Sequence, residues 1–78
     1  MSAATRESVL SILAHGPATF AYVETALRGP PPAVHSTAWD RDAHATTRDL
    51  LRLLPALVAD GSIQRIEDGE IVTFAVAS

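Results

Sequence analysis

From residue 5 to residue 15 the chain reads "TRESVLSILAH", with Val9, Leu10, Ile12 and Leu13 gathered on one broad face at helical spacing. Gly16 and Pro17 follow, and together they stop a helix, because Gly accepts left-handed geometry and Pro cannot continue the hydrogen-bond ladder. A second helix is predicted from Phe20 to Arg28, with Thr19 as N-cap, Phe20, Val23 and Leu27 on one face, and Gly29-Pro30 as the stop. Residues 29–40, "GPPPAVHSTAWD", form a linker-like loop in which three consecutive prolines forbid a helix. Trp39 closes that loop, either as a lid folded onto the core or as an anchor for a partner.

Helical periodicity returns from about Asp40 to Asp60. Leu50, Leu51, Leu53, Leu54, Leu57 and Val58 fill one sector. Thr46-x-x-Asp49 has the form of a capping box, so the helix is expected to begin at Asp40 or only at Thr47. Pro55 lies inside this pattern, where it removes a donor for the Leu51 carbonyl, so a bend or a break is expected there. Gly61 ends the element. The last stretch, "IQRIEDGEIVTF", alternates apolar and polar residues on both sides of Asp68-Gly69, the sequence sign of a β-hairpin turning on those two residues. That turn pairs Ile66 with Ile71, Arg65 with Val72 and Ile63 with Phe74, and it sets Glu67 opposite Glu70. Ile63, Val72, Phe74 and Val76 then share the face that packs on the helices, and Gln64, Ile66, Ile71 and Thr73 share the outer one.

Composition narrows what such a chain can be. At 78 residues it is one small domain, and 47% hydrophobic residues suit a packed core rather than disorder. It has no Cys, so neither disulfides nor a cysteine-based zinc motif contribute. No apolar stretch approaches the ~20 residues of a membrane span, and "MSAATRE" lacks the basic start and apolar run of a signal peptide. A cytoplasmic protein with no membrane partner is expected. The net charge is −3, and it is uneven: residues 1–28 balance, residues 29–60 carry −1, and residues 61–78 carry −2. Bulk electrostatics therefore do not favour a polyanion, and any nucleic-acid contact must be local.

One local feature fits such a contact. On a helix starting at Asp40, Arg41, Arg48 and Arg52 fall within about 40° of one another, with His44 about 40° beyond, on the side opposite the leucines. Guanidiniums in a row on a solvated face can take phosphates or the O6/N7 edge of guanine; the same row also suits an ordinary polar face paired with Asp49 and its neighbours. His35, Asp40, Asp42 and His44 cluster in sequence, yet they have no helical His-x-x-x-His spacing, so solvated side chains are expected rather than a metal site. No nucleophile elbow and no phosphate-cradling Gly-rich loop occurs, so neither an enzyme nor a cofactor is expected.

Three helices followed by a hairpin, and in particular "LLPALVADGSIQRIEDGEIVTFAV" with Leu54, Leu57, Gly61 and Ile63 at the characteristic places, resemble the winged helix-turn-helix family. The resemblance implies an α+β fold of three helices with a C-terminal two-stranded wing. It also implies sequence-specific binding of double-stranded DNA in transcriptional control through the third helix. On the matching helix the DNA contacts would be Arg48 and Arg52, with Arg41 as an outlying helper and Thr47 beside them. Two departures from the family's usual pattern are the proline loop and the wing tip of Glu67, Asp68 and Glu70. They suit an alternative: a winged helix that binds protein, not DNA, through the acidic tip, exposed Ile66 and Ile71, and Trp39. Either way, a homodimer or a larger complex is expected, with either Ile66 and Ile71 or the first helix at the contact, because outward-facing isoleucines on a short hairpin want cover.

Overall fold

The computed structural model describes residues 3–77. Three helices and three strands follow in the order α1 (Arg6–Leu13), β1 (Ala18–Thr19), α2 (Phe20–Arg28), α3 (Thr37–Ala59), β2 (Ile63–Asp68) and β3 (Ile71–Val76), an α+β arrangement. Local chemistry sets the first helices. Thr5 caps α1 by accepting from the Ser8 backbone N–H, while the Ser8 hydroxyl accepts from the Thr5 N–H, a capping box closed by Ser in place of the usual Glu. Thr19 caps α2 by accepting from the Tyr22 N–H, and Gly29 with φ 74° ends it, at the boundaries its sequence predicts.

The third helix departs from expectation at three points. It begins at Thr37, with Ser36 as N-cap accepting from the Trp39 N–H, so the proline loop is shorter than the predicted 29–40 and Trp39 lies in the first helical turn. Thr46 caps nothing. It is 2% exposed in mid-helix, its hydroxyl donating to the Asp42 carbonyl and accepting from the Ala3 N–H, which ties the N-terminal residues to α3. The helix also runs through Pro55 without breaking. Pro55 and Leu51, whose carbonyl loses its partner there, are both exposed, so water can reach the open carbonyl.

The core forms where α3 meets the other elements. Leu50, Leu54 and Leu57 pack with Val9 and Leu13 of α1, Val23 of α2, Ala18 of β1 and Ile63 of β2, all buried; Phe20, Leu27 and Phe74 close its margins. At the far end of α3, Asp60 joins three segments. Arg6 donates to Asp60 Oδ2 at 2.9 Å and to Ser62 Oγ at 2.6 Å, and the Ser62 N–H donates to Asp60 Oδ1 at 2.8 Å.

The C-terminal hairpin forms from two strands, β2 and β3, as expected, and a third strand joins its sheet. β1 pairs antiparallel with β3 (Ala18 opposite Phe74, Thr19 opposite Thr73), giving a three-stranded sheet of order β1-β3-β2. The turn lies one residue later than predicted, at Gly69-Glu70, so Ile66 opposes Thr73, Asp68 opposes Ile71 and Glu67 opposes Val72. Ile66 and Ile71 are therefore diagonal neighbours, not partners, and Glu67 does not face Glu70. The reason is turn chemistry: Gly69 has φ 64° and no described non-glycine residue has positive φ. A turn with Gly first and an ordinary residue second matches type II′, whereas Asp68-Gly69 as type I′ needs Asp68 in the left-handed region. The shift changes the pairing by two residues, so the alternation of faces is kept. At the end of β3, however, the burial is the reverse of that expected: Val76 is 41% exposed and Ala75, on the other face, is buried.

Two predictions follow from the helix and its C-terminal knot. Pro55→Ala restores the missing donor on an open surface, so urea unfolding should show a gain of about 1–3 kcal/mol, less the ~0.4–1 kcal/mol that proline contributes by restricting the unfolded chain. Asp60 is held below its ordinary pKa of 3.8, first by the Ser62 hydroxyl, then by the Ser62 N–H and Arg6. A lowered carboxylate pKa stabilises the fold above the unfolded-state value, and the benefit is lost as pH falls through the folded-state value. Thermal melts of Asp60→Asn should therefore lie below the parent at neutral pH, and the gap should close as the pH drops below 3.8.

Candidate functional site

On α3 the core leucines and the arginines take opposite sides, as 100° per residue dictates. Arg41, Arg48 and Arg52 are all exposed. From Arg41 to Arg52 the row spans about 16 Å along the axis at 1.5 Å per residue. Arg48 has Asp49 Oδ1 3.7 Å from its Nε, a loose contact at a solvated surface; neither Arg41 nor Arg52 has an ion-pair partner among the described residues. Leu51 lies on the flank of the row and is 62% exposed. Arg52 also borders a shallow recess with Ala4, Thr5 and Asp49. Exposed and lightly paired guanidiniums keep their donors for a ligand, and little ordering energy is stored in them.

Thr47 takes a different position. Its hydroxyl donates to Glu24 Oε2 of α2 at 2.8 Å, and Glu24 Oε1 lies 3.8 Å from Arg28. Arg28 in turn lies over the Trp39 ring, 5.5 Å from its centroid, with its Nε buried and without a hydrogen-bond partner. Thr47, Glu24, Arg28 and Trp39 thus form one polar-aromatic seam between α2 and the first half of α3. Trp39 is half-buried there and stands outside the core cluster. Sequence alone does not reveal this seam, because its members lie up to 23 residues apart and meet only when the helices pack.

The hairpin presents the remaining candidates. Ile66 (37% exposed) and Ile71 (60% exposed) share the sheet face turned away from Ile63. Arg65 pairs with Glu67 along β2, while Asp68 and Glu70 at the tip have no ion-pair partner among the described residues. Of the histidine-aspartate cluster, His35 meets Asp40, Nε2 to Oδ2 at 3.4 Å. No group of three or more His, Asp or Glu among the described residues is placed to hold a metal ion. A recess between α1 and β1 holds His15 and Tyr22 with Ile12 and Thr73, and no carboxylate lines it. No described helix is long and apolar enough to cross a membrane.

No family model matches the chain, and neither does any curated protein or solved structure.

The seam gives a prediction that separates Thr47 from the arginines. Thr47→Ala leaves a partly buried Glu24 oxygen without its donor, so urea denaturation should show a loss of about 1–2 kcal/mol. Arg48→Ala, at an exposed position, should change stability by less than about 0.5 kcal/mol in the same assay.

Proposed function

We propose that this chain is a winged helix-turn-helix domain that binds double-stranded DNA, with α3 in the major groove. The observation that supports the reading best is the arginine row. Arg41, Arg48 and Arg52 stand on the solvent side of a 23-residue helix whose opposite side is the core, and two of the three have no ion-pair partner among the described residues. An α-helix fits a groove about 12 Å wide, and Arg is the side chain best shaped for guanine edges and phosphates. A net charge of −3 does not oppose local contact, because fields beyond a Debye length of about 8 Å are screened at physiological salt. The acidic hairpin tip would stand clear of the duplex, or repel it from wrong orientations. Arg48 and Arg52 are the base or phosphate contacts, Arg41 assists from the next turns, and Thr47 holds the helix against α2 rather than touching the ligand.

A second reading has its own observation. Ile71 and Ile66 are exposed together on one sheet face beside an acidic tip, a surface that suits a protein partner better than a polyanion. In that case the arginine row is a solvated face.

Fluorescence anisotropy with random duplex DNA at several salt concentrations distinguishes the two. The DNA reading expects affinity to fall steeply with salt, and each arginine removed should reduce the log-log slope by about 0.9. Arg48→Ala with Arg52→Ala should abolish most binding without shifting the melting temperature. If the parent does not bind duplex at low salt, or the double variant binds as well as the parent, the DNA reading fails.

A further inference from the structure

The strand order β1-β3-β2 leaves one long edge of β2 without a partner, and burial agrees: Ile63 is buried and the other five residues of the strand are exposed. The backbone groups on that edge can be identified. The Ala77 N–H donates to the Ser62 carbonyl at 3.1 Å, continuing the β2–β3 ladder one pair beyond Ile63 and Val76. Antiparallel ladders alternate hydrogen-bonded and non-hydrogen-bonded pairs. Ser62, Gln64, Ile66 and Asp68 therefore bond inward to β3, while Ile63, Arg65 and Glu67 turn their N–H and C=O groups outward. The two-residue loop at Gly69-Glu70 requires the same phase, since its flanking pair, Asp68 and Ile71, closes the turn.

We infer that the occupant of this edge is a second copy of the same chain, paired antiparallel along β2 about a two-fold axis at Ile66. Charge and backbone phase select that arrangement together. Two outward-bonding residues must oppose each other, which restricts the pairing to registers that match Ile63, Arg65 and Glu67 among themselves. Centred on Ile66, Arg65 of each copy opposes Glu67 of the other, twice over by symmetry. Shifted by one such step in either direction, Arg65 faces Arg65 or Glu67 faces Glu67, and like charges directly opposite destabilise a sheet. The Arg65–Glu67 pair already formed within each strand then becomes half of an alternating four-charge cluster. Ile66 meets Ile66 at the non-hydrogen-bonded centre, where side chains approach most closely, and the diagonal Ile71 residues extend the apolar band on the same sheet face. The edge charges thus act as a selector: they oppose other registers and other strands, and they favour this one. The result is one six-stranded sheet running through both copies. It depends on the hairpin alone and not on the arginine row of α3, so a chain that fails to bind DNA can still pair in this way.

A charge-swap experiment tests it on the full chain by sedimentation. The parent should be dimeric at high micromolar concentration and dissociate on dilution. Arg65→Glu places anions, and Glu67→Arg places cations, at both opposed edge positions 65 and 67, so each variant alone should sediment as a monomer with the parent's helical circular dichroism. Mixed in equal amounts, the two should form a heterodimer, because every opposed pair is again of opposite sign. A monomeric parent, a variant that dimerises alone as the parent does, or a mixture that stays monomeric would overturn the inference. Should either variant unfold, amide exchange on the parent decides. The amides of Arg65 and Glu67 should gain protection as concentration rises while those of Gln64 and Ile66 stay protected throughout, and no concentration dependence at Arg65 and Glu67 would also overturn it.

Discussion

Burial of one sector of α3 is the constraint on which the rest of the structure depends. Leu50, Leu54 and Leu57 are at most 2% exposed, and the buried residues of α1, α2, β1 and β2 gather around them. At about 1.5–3 kcal/mol each, three buried leucines contribute about 5–9 kcal/mol. That is comparable to the whole net stability of about 4–12 kcal/mol expected for a domain of this length. No other orientation of α3 is affordable. With the leucines inward, helical geometry sends Arg41, Arg48 and Arg52 outward, and the same packing sets where β2 leaves the core.

Charge is separated on this frame. The arginine row lies on the outer side of α3, and Asp68 and Glu70, with no ion-pair partner among the described residues, lie at the hairpin tip. Elsewhere opposite charges pair: Arg6 with Asp60, Arg28 with Glu24, Arg65 with Glu67. A net charge of −3 therefore says little about either surface. The acidic balance resides largely in a hairpin anchored at its base by the buried Ile63 of β2 and Ala75 of β3. The chain's radius of gyration of 13.0 Å, against about 11.5 Å for a compact domain of this length, reflects the long helix and the projecting hairpin.

What sequence could show depends on how far apart the deciding atoms lie. The limits of α2 are legible because Thr19 and Gly29 act on their immediate neighbours. The faces of the hairpin are legible because period two survives a register change of two, though the turn itself is not: Asp68-Gly69 and Gly69-Glu70 both contain the glycine, and only its place in the turn decides between them. β1 is two residues long, too short for any periodicity, and exists only because β3 passes beside it. Thr46 misleads in the same way. Its spacing to Asp49 imitates a cap, while its burial and its bond to Ala3 depend on tertiary packing. The outward direction of the arginine row follows from the leucines and was legible. The commitment of Thr47 to Glu24 was not.

The two halves of α3 are held by different means, and this determines how rigidly its outer face is presented. From Leu50 onward the helix is fixed by the core. Before that, Thr46 bonds to Ala3, Thr47 bonds to Glu24, and Trp39 lies beneath Arg28, so the first turns are tied to α2 and to the N-terminal residues by polar and aromatic contacts. A helix about 35 Å long, secured along both halves, presents its arginines on a backbone already ordered, so a ligand there must immobilise only side chains. The hairpin beyond Ile63 has no such second support: Gln64 to Asp68 are exposed, and only the ladder to β3 holds them. Occupying the β2 edge would supply that support without moving α3. Because the two surfaces are held by separate sets of contacts, occupancy of one need not alter the other, and coupling between them would pass through Ile63 with the Asp60–Ser62 knot at its base, or through β3, whose Phe74 packs on the core.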